Sequence, residues 1–103
     1  MKDLTTEKKL KLAWDYSTSA ATLAELAMDK DWLVRQGVAG NESASRETLA
    51  LLAGDEDADV RMAVAGNLSA PREVLAPLAL WDRNRCVRHT AAENLAFIRR
   101  RET

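Results

Sequence analysis

The chain has 103 residues and a mass of 11.4 kDa, enough for one hydrophobic core burying about 60 to 70% of the unfolded surface and too few for two. Fifteen Lys and Arg against sixteen Asp and Glu leave a formal charge of -1, which excludes an overall basic field for nucleic acid or anionic lipid. A 47% hydrophobic and 30% charged composition excludes a disordered chain, and one cysteine with one histidine excludes an internal disulfide or a multi-cysteine metal cluster, so no cofactor is expected.

Residues 1–10 carry a charge every few positions and hold no apolar run of the about 7 to 15 residues that an export signal needs. The longest stretch of low charge, 74–81, contains Pro77 and falls short of the ~20 residues that cross a bilayer. No membrane partner is expected, and the lone thiol fits a reducing, cytoplasmic location.

The strongest signal is a tandem repeat: residues 16–41 match 42–67 at 15 of 26 positions without a gap. A third copy follows with one inserted residue near Leu80 and Trp81, and Leu12, Ala13 and Asp15 lie 26 residues before Val38, Ala39 and Asn41. The expected organisation is one repeat domain over 1–103. It comprises an N-terminal half-repeat cap at 1–15, repeats at 16–41, 42–67 and 68–94, and a C-terminal extension at 95–103. A fixed period of this length means stacked units, each unable to bury its own apolar face alone.

Each unit predicts two short helices. In the first, Leu23, Leu26 and Ala27 recur as Leu49, Leu52 and Ala53 and as Leu75, Leu78 and Ala79, the spacing of one helical face. Pro71 suits a first turn, and Glu47 and Glu73 lie where a helix start favours negative charge. In the second, Val34 with Val38 and Val60 with Val64 repeat at i, i+4, preceded by Asp29, Asp31, Asp55, Asp57 and Asp59 as cap and dipole partners. Gly40 and Gly66 are expected to end these helices in the left-handed conformation. Strands have little support, with seven Val and Ile against eighteen Ala and fourteen Leu. In the third copy Glu93 replaces the stop glycine while Val87, Ala91, Leu95 and Ile98 continue one stripe, so the last helix is predicted to run unbroken to about Arg99.

The shared frame, S-x-S-x-x-T-L-A-x-L-A-x-D-x-D-x-x-V-R-x-x-V-A-G-N, resembles the leucine-rich repeat variant family over about residues 17–94, through Leu23, Leu26, Asp31, Val34, Arg35, Asn41 and their copies. The resemblance implies an all-α fold. It is a short right-handed superhelix, HEAT-like in appearance, in which longer α-helices alternate with short α or 3₁₀ helices in two layers. The family is also associated with a cysteine-rich iron–sulfur segment, which a chain with only Cys86 does not carry. The role implied is protein–protein interaction.

Among candidate functional residues, Arg35, Arg61 and Arg88 each follow Asp31, Asp57 or Asn84 by four residues, which reads as a hydrogen-bonded ladder tying neighbouring units. An anion-binding row is the competing reading. Asn41, Asn67 and Asn94 read as residues that close helix ends by satisfying carbonyls. Trp32 and Trp81 fall in the turns between the two helices of a unit, where tryptophan beside charge suits an interface hot spot. Gln36, Met62 and His89, which share one frame position with each other, complete the candidate interface. Trp14 is expected to cover the N-terminal core.

Cys86 and His89, at i, i+3, invite a thiolate–imidazole nucleophile, but they align with Leu33 and Asp59 and with Gln36 and Met62, so neither position is reserved for chemistry and no enzyme is expected. Asp55 to Asp59 mimics a calcium loop but has Val60 where the sixth-position Gly belongs and Gly66 where the bidentate Glu belongs. From Arg83 onward six Arg face two Glu, against nine basic and fourteen acidic residues in 1–82, which makes Arg83, Arg85, Arg99, Arg100 and Arg101 a candidate basic patch. The expected function is therefore a non-catalytic interaction module with a protein partner, as a monomer or weak homodimer. Nucleic-acid contact through the Arg-rich end, or a small inhibitory, immunity-type protein that occludes a target, are the alternatives.

Overall fold

In the computed structural model, residues 3–102 are described. They form seven helices and, among the described residues, no strand: α1 (Thr6–Trp14), α2 (Ala20–Leu26), α3 (Trp32–Ala39), α4 (Arg46–Ala53), α5 (Ala58–Ala65), α6 (Arg72–Trp81) and α7 (Arg85–Glu102). All but α6 start where the repeat places a side-chain acceptor: Thr5, Ser19 and Ser45 each take the backbone N–H three residues on, and Asp31 and Asp57 the one two residues on. In α7 Asn84 accepts from the N–H groups of Cys86 and Val87. These bonds satisfy the orphan donors of a first turn and fix the starts of helices too short to be stable alone. Pro71 stands at the cap position of α6, one residue before the helix, and offers no side-chain bond.

α1, α3, α5 and α7 pack successively against one another as one layer, while α2, α4 and α6, the first helices of the units, form the other, with α4 against α6 and each first helix against the second helix of its own unit. The molecule measures 44 × 28 × 18 Å, the outline of a stack rather than a ball. The seam between layers is the core: Leu23, Leu49 and Leu75 repeat from the first helices and Val34, Val60 and Val87 from the second, each at most 1% exposed. The all-helical repeat architecture is thus the one the sequence predicts. The first helices are α rather than 3₁₀, and in the first two units they match their partners to within a residue.

α7 runs without interruption to Glu102, past Asn94 and Leu95, as the missing glycine implies. The glycine reading is corrected: Gly40 and Gly66 have φ of -87° and -91°, and no described residue has positive φ. What Gly40 supplies is room. A Cβ there would lie 3.0 Å from Trp14 Cζ3, and one on Gly37 would lie 2.8 Å from Ala13 Cβ and 3.0 Å from Trp14 Nε1. Trp14, half-exposed, lies flat across α3 on these two glycines.

Candidate functional site

The repeated polar residues build two ladders along the stack. Arg35 donates from Nε and Nη2 to the two carboxylate oxygens of Asp55, at 2.8 and 3.3 Å, and from Nη1 to the Asp29 carbonyl at 2.9 Å. Arg61 repeats this one unit on, reaching the Asp82 carboxylate at 2.8 and 3.3 Å and the Asp55 carbonyl at 2.8 Å. Lys9, on the same frame, reaches Asp29 at 2.7 Å. Arg35 and Arg61 therefore each clip their own loop and grip the next unit, while Lys9 only grips the next unit. The acid in every rung is the first Asp of D-x-D, not the Asp four residues before the arginine. Asp31, Asp57 and Asn84 are spent on capping, because a cap carboxylate aims at its own helix start and has no reach across the stack.

Hydrogen bonds and neighbouring cations, working against burial, set the charge state of Asp82 and Asp29. Burial pushes Asp82 up, but the hydrogen bond from Arg61, the Asn84 N–H and the positive field of Arg61 and Arg83 outweigh it and hold the carboxyl below its ordinary value. Asp29 is held down in the same way, burial being outweighed by Lys9 and the Asp31 N–H. The guanidinium of Arg35 is pushed up, chiefly by its bond to Asp55.

The second ladder is amide. Asn41 Nδ2 donates to the carbonyls of Ala13 and Asp15, Asn67 to those of Ala39 and Asn41, and Asn94 to those of Ala65 and Asn67, at 2.8 to 3.1 Å. The carbonyls closed are those of the preceding unit, so these residues join units instead of ending their own helix. Oδ1 of Asn41 and Asn67 accepts the N–H two residues on, from Ser43 and Ser69. Oδ1 of Asn94 finds no donor among the described residues, because the chain continues as helix where the others turn.

Both ladders are internal, and the large exposed side chains lie elsewhere on the stack. Trp81, the last residue of α6, is 80% exposed and forms one wall of a cleft of about 380 Å³ between α4 and α6, with Ala50, Ala53, Gly54, Val74 and Pro77. Pro77 sits inside α6 and leaves a carbonyl free one turn back, at Glu73, on the same cleft. A second cleft, between the end of α2 and α4, is lined by Met28 and Leu51, which are 72% and 53% exposed. The two clefts meet at Gly54, which lines both.

Residues 32–57 match the leucine rich repeat variant family.

That match covers one period, from the start of α3 to the cap of α5. No curated protein matches the chain at a significant level. The leucine rich repeat variant period accounts for Val34, Arg35, Asn41, Leu49 and Leu52 as the parts that stack. Of the α4–α6 cleft it covers Ala50, Ala53 and Gly54, whereas Val74, Pro77 and Trp81 lie outside it.

Of the other candidates, Trp32 opens α3 and lines neither of these clefts. Gln36 and Met62 are half-buried, Met62 against the core, whereas His89 is exposed with Nε2 3.4 Å from Glu93 Oε1. Cys86, exposed, shares a shallow depression with Arg85, His89 and Thr90. The basic patch is divided: Arg83 and Arg85 lie at the start of α7 and Arg99 to Arg101 at its end, about 21 Å along the helix. Arg101 lies over the Phe97 ring at 5.4 Å and Arg99 lines a cleft with Arg72 and Ala76. No helix among the described residues is long and apolar enough to cross a membrane.

The cleft beside Trp81 was not legible in the sequence. Its signals were Trp81 at the site of the inserted residue, small side chains at Ala50 and Gly54, and a proline inside a helical stripe, each ordinary alone.

Proposed function

We propose that the chain is a non-catalytic protein-interaction module that binds through its first-helix layer, centred on the α4–α6 cleft. The observation that carries this is Trp81, a large aromatic left four-fifths exposed beside an apolar cleft, the setting in which a partner's anchor gains most from burial. The repeat family points the same way, since stacked repeats commonly serve as extended binding surfaces. Residues 42–82 hold eight acidic and three basic residues, so the partner segment that fits is apolar with a basic flank. The non-catalytic reading is supported by His89, which turns to Glu93, and by the absorption of Arg35 and Arg61 into the stack.

The test is affinity capture on the immobilised protein, with and without nuclease, comparing Trp81→Ala with Trp32→Ala. A partner retained after nuclease and by Trp32→Ala, and lost at least about tenfold by Trp81→Ala, is the expected result. Loss on nuclease treatment transfers the function to nucleic acid. Retention by Trp81→Ala removes the cleft.

A further inference from the structure

The arginine ladder stops short at one end and begins short at the other. Arg88 keeps the bond to its own loop, Nη1 to the Asp82 carbonyl, but no carboxylate among the described residues meets the rest of its guanidinium. At the opposite end Asp3, 26 residues before Asp29, holds the frame position of the rung acids and is exposed, with no cation on it among the described residues. Each end thus carries half a rung, of opposite sign.

Helix faces agree with this. Ala13, Ala39 and Ala65 are fully buried, each beneath the next second helix, whereas Ala92, their equivalent on α7, is exposed. Contact between units sets position 37 against 13 and 14, and 90 against 66. The same step carried past the end of the stack places Lys11 of a following unit against Ala92 and Glu93. Lys11 and Glu93 are both exposed, and again the charges are opposite.

We propose that the uncovered faces of α7 and α1 associate head to tail, a second copy of the chain continuing the stack with Arg88 of one copy gripping Asp3 of the next and Glu93 facing Lys11. The interface within the molecule supplies its geometry, and the charge divided between the two ends supplies its direction. The amide ladder does not continue, because Asp15 stands where an Asn would donate and is held by Ser17. The junction is therefore weaker than those inside the chain. It is heterologous, so copies add in a line instead of closing into a pair. The run-on of α7 leaves the junction clear, since Leu95, Ile98 and Arg99 lie over α6.

Sedimentation velocity of the purified chain in about 50 mM salt, from micromolar to about 1 mM protein, tests it. The expected result is concentration-dependent growth beyond a dimer that weakens at high salt. Asp3→Arg should raise the dissociation constant at least about tenfold, and mixing Asp3→Arg with Arg88→Glu should restore association, since every junction in the mixture can again pair opposite charges. Should Arg88→Glu fail to fold, Lys11→Glu mixed with Glu93→Lys makes the same test on surface residues. A protein monomeric throughout overturns the proposal, as does association indifferent to Asp3→Arg, or charge-swapped mixtures that remain apart although each variant has native helical content.

Discussion

Asn41, Asn67 and Asn94 occupy one frame position and do not do equal work. Each joins two carbonyls of the preceding unit, but Asn67 also accepts from Ser69, while the same oxygen of Asn94 is buried without a donor. Removal of Asn67 takes a donor from the Ala39 and Asn41 carbonyls and an acceptor from the Ser69 N–H, although the Asn41 carbonyl keeps the Ala44 N–H. Removal of Asn94 likewise takes a donor from the Ala65 and Asn67 carbonyls, the second of which keeps the Ala70 N–H, and deletes an oxygen that was already costing desolvation energy. Asn67→Ala should therefore lose about 2–4 kcal/mol and Asn94→Ala about 1 kcal/mol less, read from urea unfolding midpoints at equal m-value. Equal losses would mean that the Asn94 oxygen is satisfied. The sequence displayed the importance of these residues by their period but not their direction, since a period says which positions recur and not which neighbour they reach. The same limit misassigned the rung acid. Asp31 and Asp29 both recur, and only the cap geometry shows that the first is occupied at home and the second faces the stack.

Helix boundaries were the most legible level, because Ser, Thr, Asp and Asn caps and the two apolar stripes are local signals. The run-on of α7 followed from Glu93 in place of glycine. What remained hidden was spacing between helices. Gly40 and Gly66 look identical on the frame, yet one lies beneath Trp14 and the other meets nothing nearer than 3.7 Å. The half-repeat puts a tryptophan where later units put glycine, and α3 has to thin its surface to receive it. Gly37→Ala, whose new methyl would meet Ala13 and Trp14, should cost about 1–3 kcal/mol by forcing α1 off α3. Gly66→Ala, at an ordinary helical φ and with its new methyl in ordinary van der Waals contact with the Met62 carbonyl and Thr90, should instead gain about 0.4–1 kcal/mol through the unfolded chain. Thermal melts of the two variants should therefore move in opposite directions. A loss in both would return the glycines to a shared backbone role.

Across the whole molecule, the ion-pair ladder ties every unit to the next, Lys9 to Asp29, Arg35 to Asp55 and Arg61 to Asp82, and so couples the stability of the stack to pH. A carboxyl whose folded pKa lies below its unfolded value of about 3.9 adds stability that is fully present above that value and is lost as pH falls through the folded pKa. Asp29 and Asp82 are both of this kind. Unfolding free energy should therefore be level from about pH 7 to pH 5 and fall below about pH 4. The Arg61–Asp82 rung is the most enclosed, with side chains 7% and 4% exposed, so it should dominate and respond little to salt. Asp82→Asn keeps the shape but leaves a buried guanidinium without its counter-charge, a change that costs about 3–5 kcal/mol where such pairs are broken. At neutral pH that loss should appear in full. As pH falls below about 4 the gap between the two proteins should narrow, because acid weakens in the parent the same rung that the substitution removes. Urea unfolding of both at pH 7 and pH 3 measures this. A gap that stays constant with pH would show that Asp82 acts through packing and hydrogen bonds alone, leaving acid sensitivity to other carboxylates.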